Sequence, residues 1–142
     1  MTETQTNSQP ASNGAKGNVL LIDDDKFLAD MYAMKFQQAG FNVQACLSSA
    51  DALKVLREGF AANAIVFDLI MPEGDGFSFL QALQSEKLAG QATKIALTNE
   101  MNDDEKTKVI QMGAALYIVK ATMIPSEVVS AVGEAIAKKK AL

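Results

Sequence analysis

From residue 18 onward the chain alternates short, unbroken apolar runs with longer stretches in which apolar residues recur every three or four positions. The runs cover 19–22, 42–47, 64–67, 94–97 and 116–119. Such runs predict strands buried on both faces, as in a parallel sheet covered by helices. Between them the helical period predicts five helices. The first carries Phe27, Met31 and Met34 on one face and stops at Gly40. The second is introduced by Ser48 or Ser49, carries Leu53, Leu56 and Phe60, and is punctuated by Gly59. The third runs from 77 to 87 with Phe77, Leu80 and Leu83 inward. Asn102-Asp103-Asp104-Glu105 has capping-box spacing for a fourth, which ends at Gly113. Pro125 suits the first turn of a fifth, with Val128 or Val129, Val132 and Ile136 facing inward. Residues 1–17 are rich in Thr, Gln, Asn, Ser and Gly, which predicts a disordered leader before a folded domain at 18–142.

Strands alternating with helices imply an α/β doubly wound domain with a five-stranded parallel sheet flanked by five helices. In such sheets the ligand crevice lies beyond the carboxyl ends of the strands. Asp23 and Asp24 follow the first run, Asp68 the third, Thr98 the fourth and Lys120 the fifth. These residues are expected to converge. Clustered carboxylates repel and resist desolvation, so they point to a hard cation such as Mg²⁺. Lys120 adds a point charge for an anion and Thr98 a hydroxyl donor. Together they suit phosphoryl transfer, which asks chiefly for positioning and charge stabilisation. Asp68, the central carboxylate, is the expected acceptor. Taken singly, each has an ordinary role: Asp24 or Asp25 as a cap, Asp75-Gly76 as a turn, Lys120 as a solvated strand end. The joint pattern at four strand ends carries the functional reading.

Composition narrows the chemistry. With no histidine among 142 residues, Ser-His-Asp and Cys-His catalysis, His-ligated zinc and phosphohistidine are all excluded. Cys46 is the single cysteine and sits in an apolar stretch, as a small core residue does. A net charge of −4 disfavours direct binding to DNA or to an anionic membrane. Lys138-Lys139-Lys140 reads as a solvated helix end that complements the helix dipole. No apolar run approaches membrane-spanning length and no signal-peptide core is evident, so the cytoplasm is the expected location. There is no G-x-x-x-x-G-K-[ST], and Gly74-Asp75-Gly76 lacks the third glycine of a dinucleotide fingerprint.

The stretch 18–139 resembles the receiver domain of bacterial two-component response regulators. The resemblance rests on the acids after the first strand, Asp68 with Met71-Pro72 and Asp75-Gly76, Thr98, Lys120, and Gly113-Ala114 leading to Tyr117. It implies a flavodoxin-like strand order of 2-1-3-4-5. It further implies that Asp68 takes a phosphoryl group from the phosphohistidine of a sensor histidine kinase or phosphotransfer protein. Asp23 and Asp24 would hold Mg²⁺ with Asp68 and the backbone carbonyl of Ile70. Lys120 and Thr98 would contact the phosphoryl group. Tyr117 would rotate inward behind it, remodelling the face of the fourth helix, fifth strand and fifth helix. A receiver is a signalling domain and not a turnover enzyme.

The sequence departs from the family pattern at three positions. Ala121 follows Lys120 where proline is usual, so a trans bond is expected there, a non-proline cis bond costing about 2.5–4 kcal/mol. Asn99 replaces a commonly small residue, and Ile70 stands two after the acceptor where a polar residue is frequent. Both flank the phosphoryl group and are expected to tune its loss. Two other classes stay open. A metal-dependent phosphatase built on D-x-D needs an acid at Ile70, and a pseudo-receiver lacks part of the acidic and basic set found here. No effector domain fits in the residues left over, so output through a separate protein or a phosphorelay is expected.

Overall fold

Alternate residues of the central strands leave for opposite faces of one sheet, and each face meets its own set of helices. The computed structural model describes residues 16–71 and 75–141, so most of the expected leader, together with Pro72, Glu73, Gly74 and Leu142, lies outside the described residues. The order is β1 (Asn18–Ile22), α1 (Lys26–Gln38), β2 (Asn42–Cys46), α2 (Ser49–Arg57), β3 (Ala64–Phe67), α3 (Gly76–Glu86), β4 (Thr93–Thr98), α4 (Asp103–Gln111), β5 (Ala114–Val119) and α5 (Pro125–Ala141). A 3₁₀ turn at Lys120–Thr122 joins β5 to the loop before α5. The five strands are parallel and ordered β2-β1-β3-β4-β5. The expected class and strand order are both met.

On one face Leu20, Ile22, Ile65, Phe67 and Ala96 pack with Leu56 of α2, Phe79, Leu80 and Leu83 of α3, and Val109 of α4. On the other, Val19, Leu21, Val66, Ile95, Leu97 and Ile118 meet Tyr32 and Phe36 of α1 and Val128, Val132 and Ile136 of α5. Every residue of β3 is buried. Edge strand β2 differs: Asn42, Gln44 and Ala45 are exposed, because only β1 flanks it. Lys16 and Gly17 already join the fold, Lys16 donating its amide to Gly40 and Gly17 accepting from that of Asn42.

The phase of α1 differs from the expected one. Phe27 is 78% exposed and Met34 is exposed too, while Ala29, Tyr32 and Phe36 face the sheet. The reason is the connection. Only three residues separate β1 from α1, and Asp25 caps the helix by accepting from the amide of Leu28. That short link fixes the rotation of the helix and brings small Ala29 against the strands. In α3 the inward residues are Phe79, Leu80 and Leu83, with Phe77 half-buried. In α2 they are Ser49, Ala52 and Leu56, with Leu53 half-buried and Phe60 beyond the helix end. Asn102 caps α4 by accepting from the amide of Glu105, and Val128, Val129, Val132 and Ile136 all line the inner side of α5.

Gly76 is more than a turn residue. Its amide donates to Leu69, and a β-carbon there would lie 2.8 Å from the Asp68 carbonyl oxygen and 2.9 Å from a Leu69 methyl. The first turn of α3 thus presses on the loop that carries Asp68. Gly76→Ala should therefore destabilise the domain by about 1–3 kcal/mol through overpacking. Urea unfolding of the two proteins measures this, and an unchanged midpoint would show that the loop yields without cost.

Candidate metal and phosphoryl site

Strand register builds the site. Ile22 pairs with Phe67, so the next residues, Asp23 and Asp68, emerge side by side at the carboxyl edge of the sheet. The Asp68 amide donates to the Ile22 carbonyl, and that of Asp23 to Cys46. Thr98 ends β4 opposite Val119 of β5, which places Lys120 at the same edge. All five expected strand-end residues, Asp23, Asp24, Asp68, Thr98 and Lys120, therefore lie at one end of the molecule.

Asp23 and Asp68 are buried, and each splits its two oxygens the same way. Asp23 Oδ1 accepts from the Asp25 amide at 2.9 Å, and Asp68 Oδ1 from the Ile70 amide at 3.1 Å. The second oxygens meet a single ammonium: Lys120 Nζ lies 2.8 Å from Asp23 Oδ2 and 3.3 Å from Asp68 Oδ2. Asp24 is exposed at the mouth, and one oxygen from each of the three carboxylates lies within 4.8 Å of the others. Thr98 is 1% exposed. The Lys120–Ala121 bond is trans, since no peptide bond among the described residues is cis.

Burial dominates the electrostatics. It pushes the Asp68 carboxyl above its ordinary range, and the Ile70 amide and Lys120 ammonium offset only part of that rise. Burial also works against the Lys120 ammonium, but bonding to Asp23 and Asp68 outweighs it and holds Lys120 above its usual value. Three converging hard oxygen donors, two of them buried, with a single ammonium between them are the donor set a small divalent cation takes. The residues fit Mg²⁺. The Ile70 amide is bonded to Asp68, and its side chain is 65% exposed beside the acceptor. Asn99 is exposed just beyond Thr98.

Tyr117 is half-buried against the cluster under α3 and α4. Its hydroxyl accepts from the Asn102 amide and donates to the Glu100 carbonyl, both at 3.1 Å, so it pins the loop between β4 and α4. Cys46 lies in the core, where burial and the nearby Asp51 carboxylate push its thiol up to about 11. That is an inert residue. Sequence reasoning missed two supporting parts. One is the Ile70 amide, invisible because it is backbone. The other is the close approach of Gly76 to Asp68, for which Asp75-Gly76 directly before a helical period was the available signal.

A family model described as the response regulator receiver domain matches residues 19–132, from β1 well into α5. Over 103 residues the chain is 29% identical to the transcriptional regulatory protein GltR of Pseudomonas aeruginosa, covering 72% of this chain and 42% of that protein. It is 30% identical over 114 residues to the regulatory protein VanRc of Enterococcus gallinarum, covering 80% and 47% respectively. The chain thus spans about half the length of the curated relatives it matches. Among solved structures, the receiver domain of the Francisella response regulator 1452 superposes with a TM-score of 0.75 at 25% identity, covering 85% of this chain and 97% of that one. A CheY-like receiver domain protein of Methanospirillum hungatei shares the fold, with a TM-score of 0.78 at 22% identity over 89% of this chain and 99% of its own. A family match that runs through every strand, on a sheet with the receiver order and an acidic edge, places this chain in the response regulator receiver domain family.

Proposed function

We propose that this domain receives a phosphoryl group on Asp68 from the phosphohistidine of a sensor histidine kinase or phosphotransfer protein, in a Mg²⁺-dependent reaction in the cytoplasm. Receivers as a family are phosphorylated by histidine kinases and act as signalling domains, not as turnover enzymes. The observation that carries the reading is the buried Asp68 carboxylate, 3.3 Å from the Lys120 ammonium and grouped with Asp23 and Asp24.

An Asp68 oxygen attacks phosphorus, forming an O–P bond as the P–N bond breaks. The imidazole leaves with the bonding pair and takes up a proton from solvent. Asp23, Asp24, Asp68 and the Ile70 carbonyl would hold Mg²⁺, which would supply positive charge against the carboxylates and the incoming phosphoryl oxygens. The Ile70 amide keeps one Asp68 oxygen oriented. Lys120 turns from the carboxylates to a phosphoryl oxygen, and Thr98 donates to another. Thr98 gains that bond only in the phosphorylated state, and a population shift needs such a differential contact. Tyr117 then leaves Glu100 and Asn102 and turns inward, altering the face of α4, β5 and α5. That face speaks to a downstream protein or a phosphorelay and not to nucleic acid, the net charge of −4 opposing phosphate contacts.

Three outcomes are expected. Acetyl phosphate with Mg²⁺ should add one phosphoryl group to the intact mass of the protein and none to Asp68→Asn; equal labelling of both would remove Asp68 from the role. Loss of the group needs a water in line with the O–P bond, and apolar Ile70 stands beside that approach while offering it no hydrogen bond. Replacing Ile70 by Asn or Glu should speed dephosphorylation about tenfold, equivalent to about 1.4 kcal/mol of barrier. Unchanged or slower release would assign control elsewhere, with Asn99 next in place.

The third concerns pH without metal. A carboxyl raised above its unfolded value of 3.8 is held protonated more tightly by the native state. Stability is then lost as pH rises from that value through the folded one, and the cost is complete above it. In EDTA, Asp68→Asn should therefore melt higher than the wild type at neutral pH, and the gap should close as the pH falls towards about 3. A variant less stable at neutral pH would mean that the Lys120 ion pair outweighs the burial of Asp68.

A further inference from the structure

A groove of about 810 Å³ opens at the end of the sheet opposite the acidic edge, between the end of α3, the starts of β4 and β5, and the last turns of α5. Its walls are apolar, with Leu83, Leu88, Met112 and Leu116 among them. Its charged lining is four lysines, Lys87, Lys94, Lys138 and Lys139, against one carboxylate, Glu134. On a chain of net charge −4 this is a local reversal of sign.

Lys94 is the informative one. It is half-buried on β4, and the hydrogen bond recorded for its ammonium runs to a neutral acceptor, the Ala89 carbonyl, at 2.6 Å. No salt bridge is recorded for any of the four lysines among the described residues. Burial, with Lys139 close by, pushes the Lys94 ammonium below its ordinary value, as expected where a cation lacks an anion. Next to it, Thr93 is buried and its hydroxyl has no hydrogen-bond partner among the described residues. At the rim, Lys87 ends α3 as a left-handed cap at φ 56°, and Ala89 two residues on is left-handed too at φ 52°.

We propose that this groove binds a small amphipathic anion, a carboxylate or phosphate head on an unbranched apolar chain. The head meets Lys94 and Lys139, and the chain lies along Leu83, Leu88, Met112 and Leu116. A volume of this size is within the range of small-molecule sites, which join apolar walls to a few convergent polar groups. The excess of positive charge favours an anionic head over a neutral or cationic one, and the missing counter-ion at Lys94 gives that head its place. The acidic edge lies at the other end of the strands, and none of Asp23, Asp24, Asp68, Thr98 and Lys120 lines the groove.

Titration calorimetry with octanoate, octyl phosphate and 1-octanol tests this on the full chain. Either anion should bind at one site, with 1-octanol weaker by about tenfold (about 1.4 kcal/mol). The tighter of the two anions identifies the head. Lys94→Met keeps the length of the apolar stem and should lose that preference, so that anion and alcohol bind alike. The exposed pair Lys138→Ala/Lys139→Ala should weaken the anion in the same direction and serves if Lys94→Met fails to fold. NMR amide shifts on adding octanoate should centre on Leu88, Gly90 and Gly113. Equal affinity for octanol and octanoate in the wild type, unaltered binding in the lysine variants, or shifts centred elsewhere would overturn the proposal. So would a concentration-dependent dimer in sedimentation that protects these same amides, which would give the groove to a second copy of the chain.

Discussion

Two buried carboxylates on adjacent strands are an unfavourable pair, and a single ammonium makes them tolerable. Lys120 reaches Asp23 across 97 residues of sequence and Asp68 across 52. Because it arrives from β5 while the acids leave β1 and β3, it can do so only if β4 and β5 are in place beside β3. The ion pair therefore depends on four of the five strands, from β1 to β5. Removing Lys120 from this set would leave two buried carboxylates without a counter-charge, which costs far more than an exposed pair contributes. The exposed pair of Arg57 and Glu86, linking α2 to α3 by two hydrogen bonds, illustrates the contrast. It has good geometry, but it lies in water.

The same arrangement explains why the acidic edge is poised rather than settled. Each buried carboxylate spends one oxygen on a backbone amide, which orients it, and the other on Lys120, which the two share. Asp24 remains outside. A cation joining the three acids would take over part of the charge compensation that Lys120 provides. Gly76 fixes the loop behind Asp68 by close packing, and the Ile70 amide fixes the carboxylate itself. Rigid support behind and a shared cation in front is an arrangement suited to accepting a charged group and later losing it.

Much of this was legible along the chain because polar and charged residues at four successive strand ends have few joint structural explanations, although each alone has an ordinary one. Asp23, Asp68, Thr98 and Lys120 stand where strands end, and parallel topology brings strand ends together. The strands themselves announced their burial, β3 most plainly, whereas β2 was harder to bound because an edge strand is only partly covered. Helix rotation was less accessible. Phe27, Met31 and Met34 form as good a stripe as Ala29, Tyr32 and Phe36 by spacing alone, and what decides between them is the three-residue link from β1 with its cap at Asp25. That constraint is three-dimensional. The basic groove was invisible for the same reason: Lys94 and Lys139 are 45 residues apart, and only the packing of α5 against β4 brings them together.

The distribution of charge along the strand direction gives the molecule an axis. Asp23, Asp24, Asp68, Glu100 and the acidic first turn of α4 crowd one pole, while Lys87, Lys94, Lys138 and Lys139 crowd the other. Helices α1 to α5 offset part of this, since each follows a strand and so turns the positive amino end of its dipole to the acidic pole. A body with such a moment does not approach a charged partner at random. In the field of a cationic surface it turns its acidic pole forward before contact, and the torque weakens as salt shortens the screening length. Orientation is thus partly decided in solution, over distances at which no side chain has yet touched.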